Sequence, residues 1–180
     1  YLYMGLNAGW LGAGGVINHT GYVDQDGGTL NTYSFTNDST QGVNLDNNAD
    51  TRIRYLTHNA GTFYMWRNAL LRGTYAGGGA YYLCNFTNNA TFQTGNAGFD
   101  GGTFFGILTN YGTFNYYQGD FVQSKVYNHG TCNLYADFSC AQFVNNAYSM
   151  TIPTGRWITA SGENAPNAFE NNGNLTMKPS

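Results

Sequence analysis

A five-residue unit, Asn or Asp, any residue, Gly, Thr and then an apolar or aromatic residue, recurs along this chain and restricts its fold more than any other feature. Gly-Thr steps stand at Gly28-Thr29, Gly61-Thr62, Gly73-Thr74, Gly102-Thr103, Gly112-Thr113 and Gly130-Thr131. They are followed by Leu30, Phe63, Tyr75, Phe104, Phe114 and Cys132, and preceded at two positions by Asp26, Asn59, Leu71, Asp100, Asn110 and Asn128. Degenerate copies run from Asn88 to Phe92 and from Asn171 to Leu175. Asn or Asp can bond its own backbone two residues on, and Gly tolerates positive φ, so each unit predicts a tight corner. Thr then opens a strand whose side chains alternate between two faces. Phe114 and Tyr116 are expected on one face, with Cys132 and Leu134. Thr113, Asn115 and Tyr117 are expected on the other, with Thr131, Asn133 and Tyr135. These two copies lie 18 residues apart, Asn88 and Asn110 lie 22 apart, and offsets of 28 or 29 link Asn59 to Asn88, Leu71 to Asp100 and Asp100 to Asn128.

Composition agrees with an all-β chain. Of 180 residues only seven are Lys or Arg and ten Asp or Glu, while 24 are Asn, 25 Gly, 20 Thr, 15 Tyr and 12 Phe. Tyr, Phe and Thr suit pleated strands, and Gly, Asn and Asp suit the turns between them. Two Glu and two Lys argue against helical bundles and coiled coils. A net charge of −3 with scattered cations offers no footprint for nucleic acid or an anionic membrane. An aromatic share of 17% excludes disorder of the charged, aromatic-poor kind. Scarce charge also favours self-association.

Corner-and-strand units stacked at these spacings resemble the coils of right-handed β-helix proteins, found among adhesin passengers and phage fibres, over roughly Asp26 to Tyr148. The resemblance implies a β-solenoid on the outside of a cell or virion. It points to no specific family, and the rival architecture is an antiparallel sandwich or jelly roll with strands every 8–12 residues.

Residues 1–25, uncharged as far as Val23, read as an apolar N-terminal segment suited to donation as a strand to a neighbour, and 26–180 as a single all-β domain. Five sequons, at Asn18, Asn37, Asn85, Asn89 and Asn174, are glycosylation candidates and favour an extracellular setting. Cys132 and Cys140 are the candidate disulfide, though Cys132 also takes an apolar position of the repeat and suits a buried thiol equally.

Catalytic signatures are missing, and no enzyme, cofactor or metal is expected. His58 and His129 adjoin corners and read as structural or solvent-facing. Asp100, Asp120 and Asp137 could gather on one face to cleave a glycosidic bond, but turn chemistry explains Asp100 as well. Asn44, Asp46, Asn48 and Asp50 alternate like calcium ligands without the Gly and Glu of that motif, and read as a solvated loop. Arg52 and Arg54 share a strand face. Trp10, Trp66, Trp157 and the tyrosines offer stacking platforms for sugars, or fill cores and interfaces. The expectation is a structural subunit of an extracellular homopolymeric filament assembled by β-strand complementation, partnered chiefly by itself. The alternative is a glycan- or receptor-binding adhesin or phage-fibre domain; neither reading has nucleic-acid binding or membrane insertion.

Overall fold

The computed structural model describes residues 2–4, 10–77, 80–96, 98, 100–147, 150–162 and 168–178, with only the backbone of 2–4, 10–13, 76–77 and 80–81. The repeat closes on itself as a β-solenoid of about seven turns. The first turns alternate a short strand with a nine-residue one: β1 (Leu2–Met4) and β2 (Trp10–Asn18), β3 (Val23–Asp26) and β4 (Thr29–Asn37), β5 (Val43–Asp46) and β6 (Asp50–His58). The next turn holds β7 (Thr62–Met65), β8 (Leu70–Arg72), the hairpin β9 (Tyr75–Gly77) and β10 (Ala80–Tyr81), and β11 (Cys84–Asn88). Then come β12 (Thr91–Thr94), β13 (Thr103–Phe104) and β14 (Gly106–Asn110), followed by β15 (Thr113–Tyr116), β16 (Asp120–Phe121) and β17 (Lys125–Asn128). The last turns hold β18 (Thr131–Leu134), β19 (Phe138–Cys140) and β20 (Gln142–Asn145), then β21 (Met150–Ile152), β22 (Ile158–Ala160), β23 (Phe169–Asn171) and β24 (Leu175–Met177).

Among the described residues every turn-to-turn pairing is parallel, which rules out the antiparallel sandwich, and only the β9–β10 hairpin pairs antiparallel. One sheet runs β1-β3-β5-β7-β12-β15-β18. Opposite it, each long strand of the early turns covers two sides of the coil. β6 pairs through Asp50–Arg52 with β8 and through Tyr55–His58 with β11. Later turns make the same two sides from separate short strands, because the hairpin and the 95–102 segment are inserted at corners. Insertions at different corners are why the offset between turns is irregular: 20 residues from Val23 to Val43, 29 from Phe63 to Phe92, 22 from Phe92 to Phe114 and 18 from Phe114 to Cys132.

The interior is built from columns at the strand repeat of about 4.8 Å. Phe63, Phe92, Phe114 and Cys132 stack in register, and so do Leu56, Phe86, Leu108, Val126 and Phe143; all are buried. Each buried phenylalanine contributes on the order of 1.5–3 kcal/mol of transfer free energy. The faces expected for the 18-residue pair are observed: Phe114, Tyr116, Cys132 and Leu134 point inward, while Thr113, Asn115 and Tyr117 stand outside over Thr131, Asn133 and Tyr135.

Three expectations change. Pairing runs from Leu2 to Met177 rather than from Asp26, and β2 lies parallel on β4 within the same chain, so a boundary after residue 25 falls inside β3. The offset from Leu71 to Asp100 is no register, because Leu71 pairs with Phe104. The corner glycines divide: Gly28 (φ 68) and Gly61 (φ 74) adopt the expected positive φ, whereas two later ones serve a different end. Gly112 and Gly130 do not adopt positive φ. A Cβ on Gly112 would overlap the Ala90 carbonyl oxygen, and one on Gly130 those of Gly112 and Tyr111. They are glycines because one turn's backbone presses on the next.

Candidate functional site

The corner asparagines form the most ordered polar structure of the chain. Asn18, Asn37, His58, Asn88, Asn110, Asn128, Asn145 and Asn171 occupy one position in successive turns. Asn88 Nδ2 donates to Asn110 Oδ1 (2.8 Å), Asn110 to Asn128 (2.8 Å), Asn128 to Asn145 (3.1 Å) and Asn145 to Asn171 (2.8 Å). The expected local bond is also present: Asn88, Asn110 and Asn171 each donate to the carbonyl two residues on. Such an amide satisfies its own corner and ties it to the next turn.

His58 interrupts this ladder. Asn37 Nδ2 donates to its Nδ1 (3.1 Å), so Nδ1 is bare and Nε2–H donates to the carbonyls of Gly61 (3.2 Å) and Thr91 (3.1 Å). Nothing then reaches Asn88 Oδ1, a buried acceptor without a hydrogen bond. Burial holds the imidazole below its ordinary pKa, against the pull of the two carbonyls. His58 is thus structural, whereas His129 faces solvent, stacked on Tyr111 (4.9 Å).

The outer face of the first sheet carries three columns. Thr62, Thr91, Thr113 and Thr131 make the first. Tyr64, Gln93, Asn115 and Asn133 make the second, with Asn133 Nδ2 donating to Asn115 Oδ1 (2.8 Å). Along the margin stand Trp66, stacked on Tyr64 (5.0 Å) with its indole N–H donated to Asn44 Oδ1 (2.6 Å), and Tyr117, stacked on Tyr135 at 4.1 Å and 8°.

That margin is scalloped by three hollows. One, of about 290 Å³, is lined by Tyr22, Asn44, Asp46, Tyr64, Trp66, Arg67 and Asn96. Another, of about 490 Å³, lies between Asn133, Tyr135, Pro153, Arg156 and Lys178. Between them a cleft of about 530 Å³ brings together Asp100, Asp120 and Asp137 with Tyr116, Tyr117, Gln118 and Arg156. The three carboxylates flagged by the sequence therefore do share one site. Asp100 is no corner residue like Asn110: it belongs to the segment between β12 and β13, where its carbonyl accepts from Arg67 N. All three side chains are exposed. Of the three carboxylates, Asp137 accepts from Trp157 N through Oδ1 (3.3 Å). Tyr116 donates its hydroxyl to Gly119 O (2.7 Å), and burial, then the charges of Asp120 and Asp137, push its pKa up to about 12.

The alternating oxygens of the 44–50 stretch do not converge. Asn44 donates to Asp24 (2.8 Å), Asp46 lies 3.7 Å from Arg67, and Asp50 accepts from Arg52 and Arg72. Burial works against ionising Asp50, but the hydrogen bonds from Arg72 and Arg52 outweigh it and hold its pKa below the usual value. Among the described residues no group of three His, Cys, Asp or Glu is arranged to hold a metal. Arg54 stacks instead on Tyr82, 3.7 Å from the ring centre.

Of the sequons, Asn37 is fully buried, with Nδ2 committed to Ser39 O, Ala60 O and His58; a glycan on that nitrogen is incompatible with the coil. Asn18 is half-buried and bonds Asn37 and Gly21, and Asn85 is half-buried against Arg54 O. Asn89 and Asn174 are exposed. Cys132 and Cys140 form no bridge: with Cys84 they are free, buried thiols, Cys132 filling the phenylalanine column. Burial pushes Cys84 up, and takes Cys132 and Cys140 to about 12.

These coils define the chain as an all-β solenoid, and no family model, curated protein or solved structure matches it.

Proposed function

We propose that this chain is a structural unit of an extracellular filament, in which coils of one copy continue the coils of the next by parallel strand pairing. One observation carries the reading: neighbouring turns are joined by the same devices, parallel backbone pairing, a buried apolar core and, except where His58 stands, the corner amide ladder. A coil of that kind receives another coil of its own kind without new chemistry. Among the described residues β2 pairs on one side only, with β4, and β23 on one side only, with β20. Scarce surface charge supports the same reading, since little repels a second copy. The role is mechanical and needs no catalysis.

Electron microscopy and sedimentation of the intact protein test it. Fibres are expected, together with their loss on deletion of residues 1–15, which removes most of β2. A stable monomer at high concentration, or fibres that survive the deletion, overturns strand complementation.

A further inference from the structure

The outer face of the first sheet is explained neither by the fold nor by filament growth, which proceeds along the coil axis. We infer that this face binds an extended, neutral polysaccharide running along that axis. Its three columns carry hydroxyls, amides and aromatic rings and no formal charge from Thr62 to Tyr135, so the occupant is a neutral chain of many hydroxyls.

Periodicity fixes the ligand as a polymer. Donors and acceptors recur once per turn, about every 4.8 Å, and a single sugar would use only one or two rungs. The Thr62, Thr91, Thr113 and Thr131 hydroxyls make no hydrogen bond among the described residues, and Asn115 and Asn133 spend only one bond on each other. Trp66 and Tyr117 stand at the margin, where the three hollows follow one another from turn to turn. Aromatic rings there pack against the C–H faces of sugar rings while the columns take their hydroxyls. Charge along the margin changes sign from hollow to hollow, Asp46 beside Arg67, then Asp100, Asp120 and Asp137, then Arg156 and Lys178, so a long chain of one sign meets repulsion somewhere along it.

The test is affinity electrophoresis of the intact protein in gels cast with a soluble neutral β-glucan, with a neutral mannan or with polygalacturonate, plus pull-down on cellulose and chitin. The double variant Tyr117→Ala/Tyr135→Ala is compared with Tyr33→Ala/Tyr55→Ala, which removes two exposed rings from the other sheet, and circular dichroism establishes that both fold. Retention by at least one neutral polysaccharide is expected, unaffected by 1 M salt. It should weaken at least tenfold in the first variant and stay unchanged in the second. Binding to polygalacturonate alone, equal loss in both variants, or no retention by any neutral polysaccharide overturns the inference. So does a self-association, seen by sedimentation velocity, that Tyr117→Ala/Tyr135→Ala abolishes, since the face is then an interface between copies.

Discussion

Replacing His58 with asparagine puts the corner ladder to its most direct test. In the native chain His58 accepts from Asn37 through Nδ1 and leaves Asn88 Oδ1 without a donor. An asparagine would accept the same bond through Oδ1 and turn Nδ2 to Asn88, relieving a buried unpaired acceptor that costs about 1–3 kcal/mol. Against this gain, the imidazole edge now packs on Phe63 (5.8 Å, 76°), a contact of about 0.5–1.5 kcal/mol, and the smaller side chain leaves a void. At pH 8 the two nearly cancel, and His58→Asn should lie within about 1 kcal/mol of wild type. Acid separates them. The folded chain holds His58 below its ordinary pKa, because the ring is buried and a proton on Nδ1 would meet the Asn37 amide head-on. Below pH of about 6.5 the unfolded chain therefore binds the proton more readily than the folded one. Wild-type stability should fall by up to about 1.4 kcal/mol per pH unit from there down to the folded-state pKa. Among the described residues no charged side chain offsets this. Urea unfolding at pH 8, 7, 6 and 5 measures the slope in both chains; His19 and His129 are common to both and drop out of the difference. If the variant keeps the wild-type slope, the assigned protonation of His58 is wrong.

Three further outcomes follow from the same geometry. Asn110→Asp replaces the amide nitrogen that serves Gly112 O, Asn128 Oδ1 and Thr131 O with an oxygen; a loss of about 3–5 kcal/mol is expected at pH 7 by urea unfolding, partly recovered at pH 4 where the carboxyl is protonated. Gly130→Ala forces a Cβ onto two carbonyls of the previous turn and should cost more than 2 kcal/mol, whereas Gly155→Ala, at φ +67 but in open space, should cost about 1 kcal/mol; equal shifts in Tm would mean that contact between turns is not what selects glycine. All three thiols should resist a thiol reagent in the folded protein and all three should react in guanidinium, because burial holds each in the neutral form; a single reactive thiol in guanidinium would show Cys132 bridged to Cys140.

The parts of the fold visible in the sequence are those where neither of two successive turns carries an insertion. From Asn110 to Tyr135 the chain repeats every 18 residues without interruption, so Phe114 over Cys132 and Asn115 over Asn133 could be read directly. The 29-residue offset read from Asn59 to Asn88 is the true register of the strands that follow, Thr62 on Thr91, although Asn88 itself pairs with His58. The equal offset from Leu71 to Asp100 was a coincidence of two different corners. The place of His58 in the amide ladder was not legible in the sequence, for a chemical reason. His58 stands in for an amide, and its neighbour Asn59 matches the motif while belonging to a second, exposed row in which Asn89 donates to Asn59 and Asn59 to Asp38. The Asp cluster was legible as residue types, but its shape depends on corners whose lengths differ from turn to turn. Asp50 between Arg52 and Arg72 was hidden because Arg72 comes from the following turn.

The amide ladder also has a direction. From Asn18 to Asn37, and again from Asn88 to Asn171, each Nδ2 donates toward the higher-numbered turn. The dipoles add along the axis, so one rim of any stack of these coils offers oxygens and the other offers N–H groups. Two like rims brought together would bury oxygen against oxygen or N–H against N–H, at about 1–3 kcal/mol for each unpaired group. A junction between copies is thereby restricted to head-to-tail. A fibre built this way is polar, with two chemically distinct tips that add subunits at different rates.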